Sequence, residues 1–262
     1  MCRHLAYLGP PRRVGDLLFD APHALRDQGR APREMVVAND NPDGWGVAWW
    51  TSVNLPPLHY RTTTRMWDDE DFVGANDQAR AVLGAVRKAS PNTTLDPVNN
   101  APFVADTRIG TVAFSLNGHA FHASCEPRVR AALAPDTPLV GNTDSEVLFA
   151  LVRERIAEGV DPAAAVAAVH HIIDPGPEVY VNLLLVMTNL IVATTWQHTL
   201  YVDRTGDHTT VASEPLDDSP NWTRVPDASL LVASATDLSV SPLEAFRYEG
   251  SLPEGLPIEG TR

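Results

Sequence analysis

Short runs of apolar and β-branched residues, broken by Gly, Pro and Asn, recur through the first half of the chain. They predict strands over residues 3–8, 45–50, 58–62, 81–87 and 111–116. Residues 69–80 carry a helical spacing. A second helix is predicted at Thr143, where Thr143 and Glu146 have the T-x-x-E spacing of a capping box ahead of VLFALVRERI. Asp161-Pro162 then pairs an N-cap carboxylate with a proline at the first helical position, before an Ala/Val-rich helix reaching Ile173. Strands return over 181–187, 190–195, 199–202, 211–213 and 230–233. Strands, then helices, then strands again predict an α+β domain of two packed sheets with helices outside them. Residues 2–241 read as one domain, and the Pro-, Gly- and Glu-rich residues 242–262 as a C-terminal tail.

The most membrane-like stretch, residues 179–196, is close to spanning length. Asn182, Thr188 and Asn189 interrupt it and no basic flank follows, so two buried strands joined by a tight turn at Thr188-Asn189 are expected instead. The start MCRHLAYLGPPRR lacks the apolar run of a secretory signal, and a soluble, cytoplasmic protein is expected. Composition agrees: 44% of the 262 residues are hydrophobic and 20% charged, enough for a real core. A formal charge of −13 argues against a nucleic-acid partner, whose phosphates a binding protein must neutralise. Two cysteines, Cys2 and Cys125, are too few for a disulfide scaffold and lack zinc-finger spacing.

Cys2 follows the initiator Met directly. Cysteine is small enough for Met1 to be removed, which would leave a thiol and a free α-amine on one residue. An α-amine titrates near neutrality, so it can act as base and then acid for its own side chain. A buried thiol at the start of a first strand is the plainer alternative.

The start MCRHLAYLG, the segment NPDGWG (Asn41 to Gly46), the run AVRKAS (Ala85 to Ser90), SLNGH with Asn117-Gly118, and NTDSE (Asn142 to Glu146) occur in one order. In motif and spacing they resemble class II (N-terminal-nucleophile) glutamine amidotransferase domains. The segments VATTWQHTLYV and ASEPLDDSPNW narrow the resemblance to the stand-alone γ-glutamyl-hercynylcysteine-sulfoxide hydrolases of ergothioneine biosynthesis. It covers roughly residues 2 to 241.

The resemblance implies a four-layer αββα sandwich, with two mainly antiparallel sheets face to face between helices. It implies a γ-glutamyl hydrolase in which Cys2 attacks the γ-carbonyl and the Asn117 amide and Gly118 N–H form the oxyanion hole. Asp144 is assigned to the substrate α-ammonium, although a carboxylate in the first turn of a helix also caps it. Read by residue type, Arg87 at a strand end suits the α-carboxylate through its planar fork, with a surface ion pair as the alternative. Ser90 could add a hydroxyl contact there. Asp43 and Gly44, in the NPDGWG loop, are expected to wall the substrate pocket, and residues 91–100 to select the leaving group. No cofactor and no metal are expected. The expected partner is a small γ-glutamyl substrate, with no nucleic acid and no membrane, and a homo-oligomer is compatible with the sequence.

The chain departs from the family pattern at two places. Leu116 stands before Asn-Gly where many relatives have His, and Arg87-Lys88-Ala89-Ser90 replaces Arg-x-Ala-Thr while keeping the hydroxyl. His119 with His122, and His170 with His171, lack the further ligands of a metal site. Cys125 reads as helix packing, and the acidic clusters 68–71 and 217–218 as solvated surface or turns. Two other functions stay open at this point. One is a glutaminase subunit passing ammonia to a separate synthase, since the chain itself leaves no room for one. The other is an inactive binding protein of the same fold.

Overall fold

A computed structural model describes residues 2–35, 39–90, 93–120, 125–176 and 179–245. Strand β1 (Arg3–Arg13) leads into a π-helical turn (Asp16–Asp20) and helix α1 (Leu25–Arg30). Strands β2 (Trp45–Trp50), β3 (Leu58–Thr62), β4 (Gln78–Val86), β5 (Phe103–Thr107) and β6 (Gly110–Gly118) follow. Helices α2 (Cys125–Ala131), α3 (Asp144–Ala157) and α4 (Pro162–Ile173) come next. The chain returns to strands with β7 (Val181–Val186), β8 (Ile191–Thr194), β9 (Tyr201–Thr205) and β10 (His208–Ala212). The last are β11 (Thr223–Arg224), β12 (Ser229–Ala233) and β13 (Leu238–Pro242).

Among the described residues, one sheet has the order β11-β9-β10-β1-β4-β2-β3 and the other β13-β12-β8-β7-β6-β5. Neighbouring strands pair antiparallel in both. Side chains alternate across each strand, so one sequence feeds two layers. Ala6 and Leu8 of β1 point between the sheets, where they meet Ala113, Leu184 and Leu231. Leu5 and Tyr7 point the other way, onto Leu17, Leu18 and Leu25 of the π turn and α1. On the far side Phe114 and Leu116 of β6 pack against Phe149 and Leu151 of α3 and Val166 of α4. The layers are therefore helix, sheet, sheet, helix, the αββα order expected. Strand β7 has apolar neighbours on both faces, which is why residues 181–186 are an almost unbroken apolar run. Its turn into β8 falls at Thr188-Asn189 as expected, closed by Met187 N–H donating to the Leu190 carbonyl at 2.8 Å. None of the helices among the described residues is long and apolar enough to cross a membrane.

The expected helix over 69–80 does not form. A short 3-10 turn (Gly74–Asn76) stands there, and β4 begins at Gln78. The Asp69 carboxylate accepts hydrogen bonds from Trp45 Nε1 at 2.8 Å and Tyr60 OH at 2.9 Å. Phe72 packs edge-on against Trp45 and Trp49. These tertiary contacts outweigh a weak local helix preference, and they give Asp69 a structural role beyond the solvated surface expected of its cluster. The capping box at α3 is half formed. Thr143 Oγ1 accepts Glu146 N–H at 3.2 Å, but the Glu146 carboxylate turns to the N–H groups of Val140 and Gly141, at 2.6 and 2.7 Å. Cys125 is buried at the start of α2, in the core beneath α3 and α4. His122, residues 91–92 of the expected leaving-group loop, and residues 246–262 of the expected tail lie outside the described residues. Leu243, just beyond β13, is packed in the core.

Candidate active site

The register between β1 and β4 sets Arg3 opposite Val86, so the chain start lies beside the end of β4 and Arg87. A pocket opens there, lined by Cys2, Val86, Arg87, Asn99, Leu116 and Ser145 among others. Two expected site residues, Cys2 and Arg87, share its wall. Ser90, Asn117, Gly118 and Asp144 are not among its lining residues, although Asn117 and Asp144 are the sequence neighbours of Leu116 and Ser145. Both sheets contribute to the pocket, through the end of β4 and through Leu116 of β6. Leu116, the departure from the family pattern, gives this wall an apolar patch.

Arg87 is only 7% exposed. Its Nη1 donates to Asn100 Oδ1 at 3.2 Å, and Asn100 Nδ2 in turn donates to the Thr62 carbonyl at 2.6 Å. Among the described residues no carboxylate pairs with Arg87, so its charge is oriented by a neutral amide without being cancelled. The NPDGWG loop is stitched to the same segment. Arg87 N–H donates to the Gly44 carbonyl at 2.9 Å, and Asp43 N–H to the Arg87 carbonyl at 3.0 Å. The Asp43 carboxylate accepts Ala89 N–H at 2.8 Å. Gly44 has φ +111°, and a Cβ there would collide with Asn100 and the Thr62 carbonyl, so glycine is required for this approach. Asp43 and Gly44 thereby shape the Arg87 segment from behind and are not among the lining residues.

On the other sheet Asn117 is fully buried, with Nδ2 3.3 Å from Ser213 Oγ. Its Oδ1 has no hydrogen-bond partner among the described residues. Gly118 has φ +145°, and a Cβ would strike the Tyr180 carbonyl. Asp144 opens α3. Its Oδ1 accepts Ser145 N–H at 2.7 Å and its Oδ2 accepts Ala120 N–H at 2.9 Å, tying the helix start to the chain leaving β6. His119, beyond Gly118, reaches both sides: Nδ1 lies 3.3 Å from Ser90 Oγ and 3.6 Å from Asp144 Oδ2.

Asn99 and Asn100 fall in the 91–100 loop expected to select the leaving group, and their bracing of Asn142 and Arg87 was not expected. Asn99 Nδ2 donates to Asn142 Oδ1 at 2.9 Å and to the Thr94 carbonyl at 3.0 Å, while its Oδ1 accepts Asn142 N–H at 3.0 Å. One asparagine thus braces the loop before Asp144 and the next orients Arg87. The available signal was an Asn-Asn pair just after the capped Asp96-Pro97 turn, where Asp96 Oδ1 accepts Val98 N–H at 2.9 Å.

Two histidines near the chain start are held neutral. Burial, followed by the Arg3 charge and His198, pushes His4 down to about 3. Burial and then Arg3 push His198 down to about 3 as well. His4 Nδ1 is also engaged with Ser115 Oγ at 2.9 Å. Neither imidazole is a competent base at neutral pH. Among the described residues, no group of three or more His, Cys, Asp or Glu side chains could hold a metal ion.

No family model matches the chain. A curated γ-glutamyl-hercynylcysteine sulfoxide hydrolase from Mycolicibacterium smegmatis is 33% identical over 246 residues, spanning 93% of this chain and 100% of the relative. One of the same name from Mycobacterium tuberculosis is 30% identical over 93% of this chain and 97% of its own length. Among solved structures, a glutamine aminotransferase class-II domain protein from Silicibacter pomeroyi superposes with a TM-score of 0.65 at 22% identity. That match covers 92% of this chain and 99% of the other, and shows the fold. Similarity along nearly the full length of both curated relatives shows that the chain belongs to the γ-glutamyl-hercynylcysteine sulfoxide hydrolase family.

Proposed function

We propose that the protein hydrolyses the γ-glutamyl amide of γ-glutamyl-hercynylcysteine sulfoxide, releasing glutamate and hercynylcysteine sulfoxide, with Cys2 as the N-terminal nucleophile. The observation that carries this reading is the shared pocket wall of Cys2 and Arg87. Once Met1 is removed, the Cys2 α-amine takes the thiol proton. The neutral, engaged His4 leaves the amine as the base at hand. The thiolate adds to the γ-carbonyl, and the Asn117 amide and Gly118 N–H receive the oxyanion. The C–N bond breaks as the α-ammonium returns its proton to the leaving amine, forming a γ-glutamyl thioester. Water, deprotonated by the same amine, then cleaves the thioester to glutamate and free thiol. Arg87 and Ser90 hold the α-carboxylate, and Asp144 the α-ammonium. Asp43 and Gly44 serve the substrate through the Arg87 segment. The setting is cytoplasmic, where a catalytic thiol stays reduced.

The test compares the full chain and its Cys2→Ala variant on the γ-glutamyl sulfoxide and on free glutamine, with intact mass reporting Met1 removal. Turnover of the sulfoxide well above that of glutamine, lost in Cys2→Ala with substrate binding retained, is the expected result. Substantial activity in Cys2→Ala sinks the nucleophile. Preference for glutamine sinks the substrate.

A further inference from the structure

The segment ASEPLDDSPNW belongs to the family pattern, yet none of its residues lines the pocket. Its first polar pair lies beside the start of β1. Leu5 is the partner of Ala212 in the ladder between β1 and β10, so the chain leaving β10 runs on past His4 and Arg3. Ser213 N–H donates to the His4 carbonyl at 3.0 Å, continuing the ladder by one step.

Ser213 Oγ faces the space between the sheets. It accepts His4 N–H at 3.0 Å and the Asn117 amide at 3.3 Å, and donates to the His4 carbonyl at 3.3 Å. One donor and two acceptor sites exhaust a hydroxyl. His4, Asn117 and Ser213 are all buried, so water does not compete for these bonds. A single oxygen therefore ties the strand carrying Cys2, in one sheet, to the side chain expected in the oxyanion hole of the other.

Glu214 grips the opposite face of the same strand. Its Oε1 lies 3.2 Å from Arg3 Nε and accepts Glu34 N–H at 3.1 Å. Its Oε2 accepts His23 Nε2 at 2.8 Å and Arg33 N–H at 2.8 Å. Arg3 is wholly buried, and its two Nη atoms have no hydrogen-bond partner among the described residues. Glu214 is the one carboxylate there within ion-pair distance of Arg3.

We infer that Ser213 and Glu214 are the positioning pair for the N-terminal nucleophile, seating the first residues of β1 against the Asn117 amide and the 33–34 segment. Neither touches the reacting atoms. They act by fixing where Cys2 stands relative to the oxyanion donor, a distance on which covalent attack depends steeply. The inference rests on Cys2 being the nucleophile.

The test uses Ser213→Ala in the full chain, with Ser213→Thr to restore the hydroxyl and Glu214→Gln to probe the other face. Ser213→Ala should lower kcat by about ten- to a hundred-fold with KM little changed, as expected for a misaligned attack. Alkylation of Cys2 by the γ-glutamyl electrophile diazo-oxo-norleucine should slow in parallel. Alkylation by iodoacetamide, which needs only an accessible thiol, should not. Against an Asn117→Ala background the same substitution should cost far less, because Ser213 acts through that amide. Wild-type kcat in Ser213→Ala, or a full loss repeated on Asn117→Ala, overturns the inference while Cys2→Ala remains inactive. If Ser213→Ala does not fold, Glu214→Gln decides by the same two alkylation rates. Equal slowing of both reagents there means that the pair merely supports the fold. Activity in Cys2→Ala, by contrast, removes the nucleophile reading itself.

Discussion

Asn100 Oδ1 holds Arg87 Nη1 at 3.2 Å while its own amide is anchored to the Thr62 carbonyl at 2.6 Å. A buried guanidinium is thus aimed by a neutral partner that does not cancel its charge. Asn100→Ala should raise KM for the γ-glutamyl substrate by about ten-fold, the scale of one lost charge-assisted hydrogen bond, with a smaller fall in kcat. Steady-state kinetics over a wide substrate range separates the two.

Gly44 acts on the same guanidinium from behind. Gly44→Ala forces a left-handed backbone on a residue with a Cβ and drives that Cβ into Asn100. A lower Tm is expected, by an amount matching about 1–3 kcal/mol of strain, together with the raised KM of Asn100→Ala. Calorimetry and kinetics on the one variant read both effects.

Arg87→Lys keeps the charge and removes the fork. A carboxylate that accepts two parallel hydrogen bonds from arginine receives one from lysine, so binding should weaken by about 1–3 kcal/mol, or roughly ten- to a hundred-fold. Titration of glutamate into Cys2→Ala and into Cys2→Ala/Arg87→Lys, both without turnover, measures it directly.

The pH dependence of stability follows from the buried imidazoles. His170 packs on Trp196 with neither ring nitrogen hydrogen-bonded among the described residues, and burial and then His171 push it down to about 3. In the unfolded chain it takes up a proton near pH 6.5, whereas the folded protein resists until about pH 3. Stability is therefore complete above that unfolded value and is lost as pH falls below it, by about 1.4 kcal/mol per pH unit for each such histidine. His4 and His198 add in the same direction. His170→Leu should flatten the acid limb of a denaturant-midpoint series by one proton's worth. An unchanged slope would show that His170 does not contribute.

What the sequence revealed tracks how local its causes were. Helix α4 begins where Asp161-Pro162 predicts, because Asp161 Oδ1 caps the N–H groups of Ala163 and Ala164 within the same turn. The apolar runs of β2 and β7 were visible because burial on both faces leaves no polar alternation. Residues 69–80 misled because Asp69 and Phe72 answer to Trp45, Tyr60 and Trp49, residues remote in sequence. The site divides the same way. Cys2 and Arg87, singled out by position, residue type and motif, line one pocket, whereas the roles given to Asn117 and Asp144 come from the resemblance. The contacts of Ser213, though it lies in the quoted segment ASEPLDDSPNW, were not readable, since its partners Asn117 and His4 are 96 and 209 positions away and no spacing rule links them.

The pocket joins the two halves of the sandwich, with Cys2 and Arg87 at the ends of β1 and β4 in one sheet and Leu116 of β6 in the other, beside the start of α3. Each half keeps its own backbone ladder, so a slight slip of one sheet over the other leaves both ladders intact. Under the proposed mechanism the same slip parts the Cys2 thiol from the Asn117 amide that receives the oxyanion. Turnover by that mechanism would therefore register misalignment that strand content does not. On gentle heating or in mild denaturant, turnover should fade while the circular dichroism of the sheets is still native.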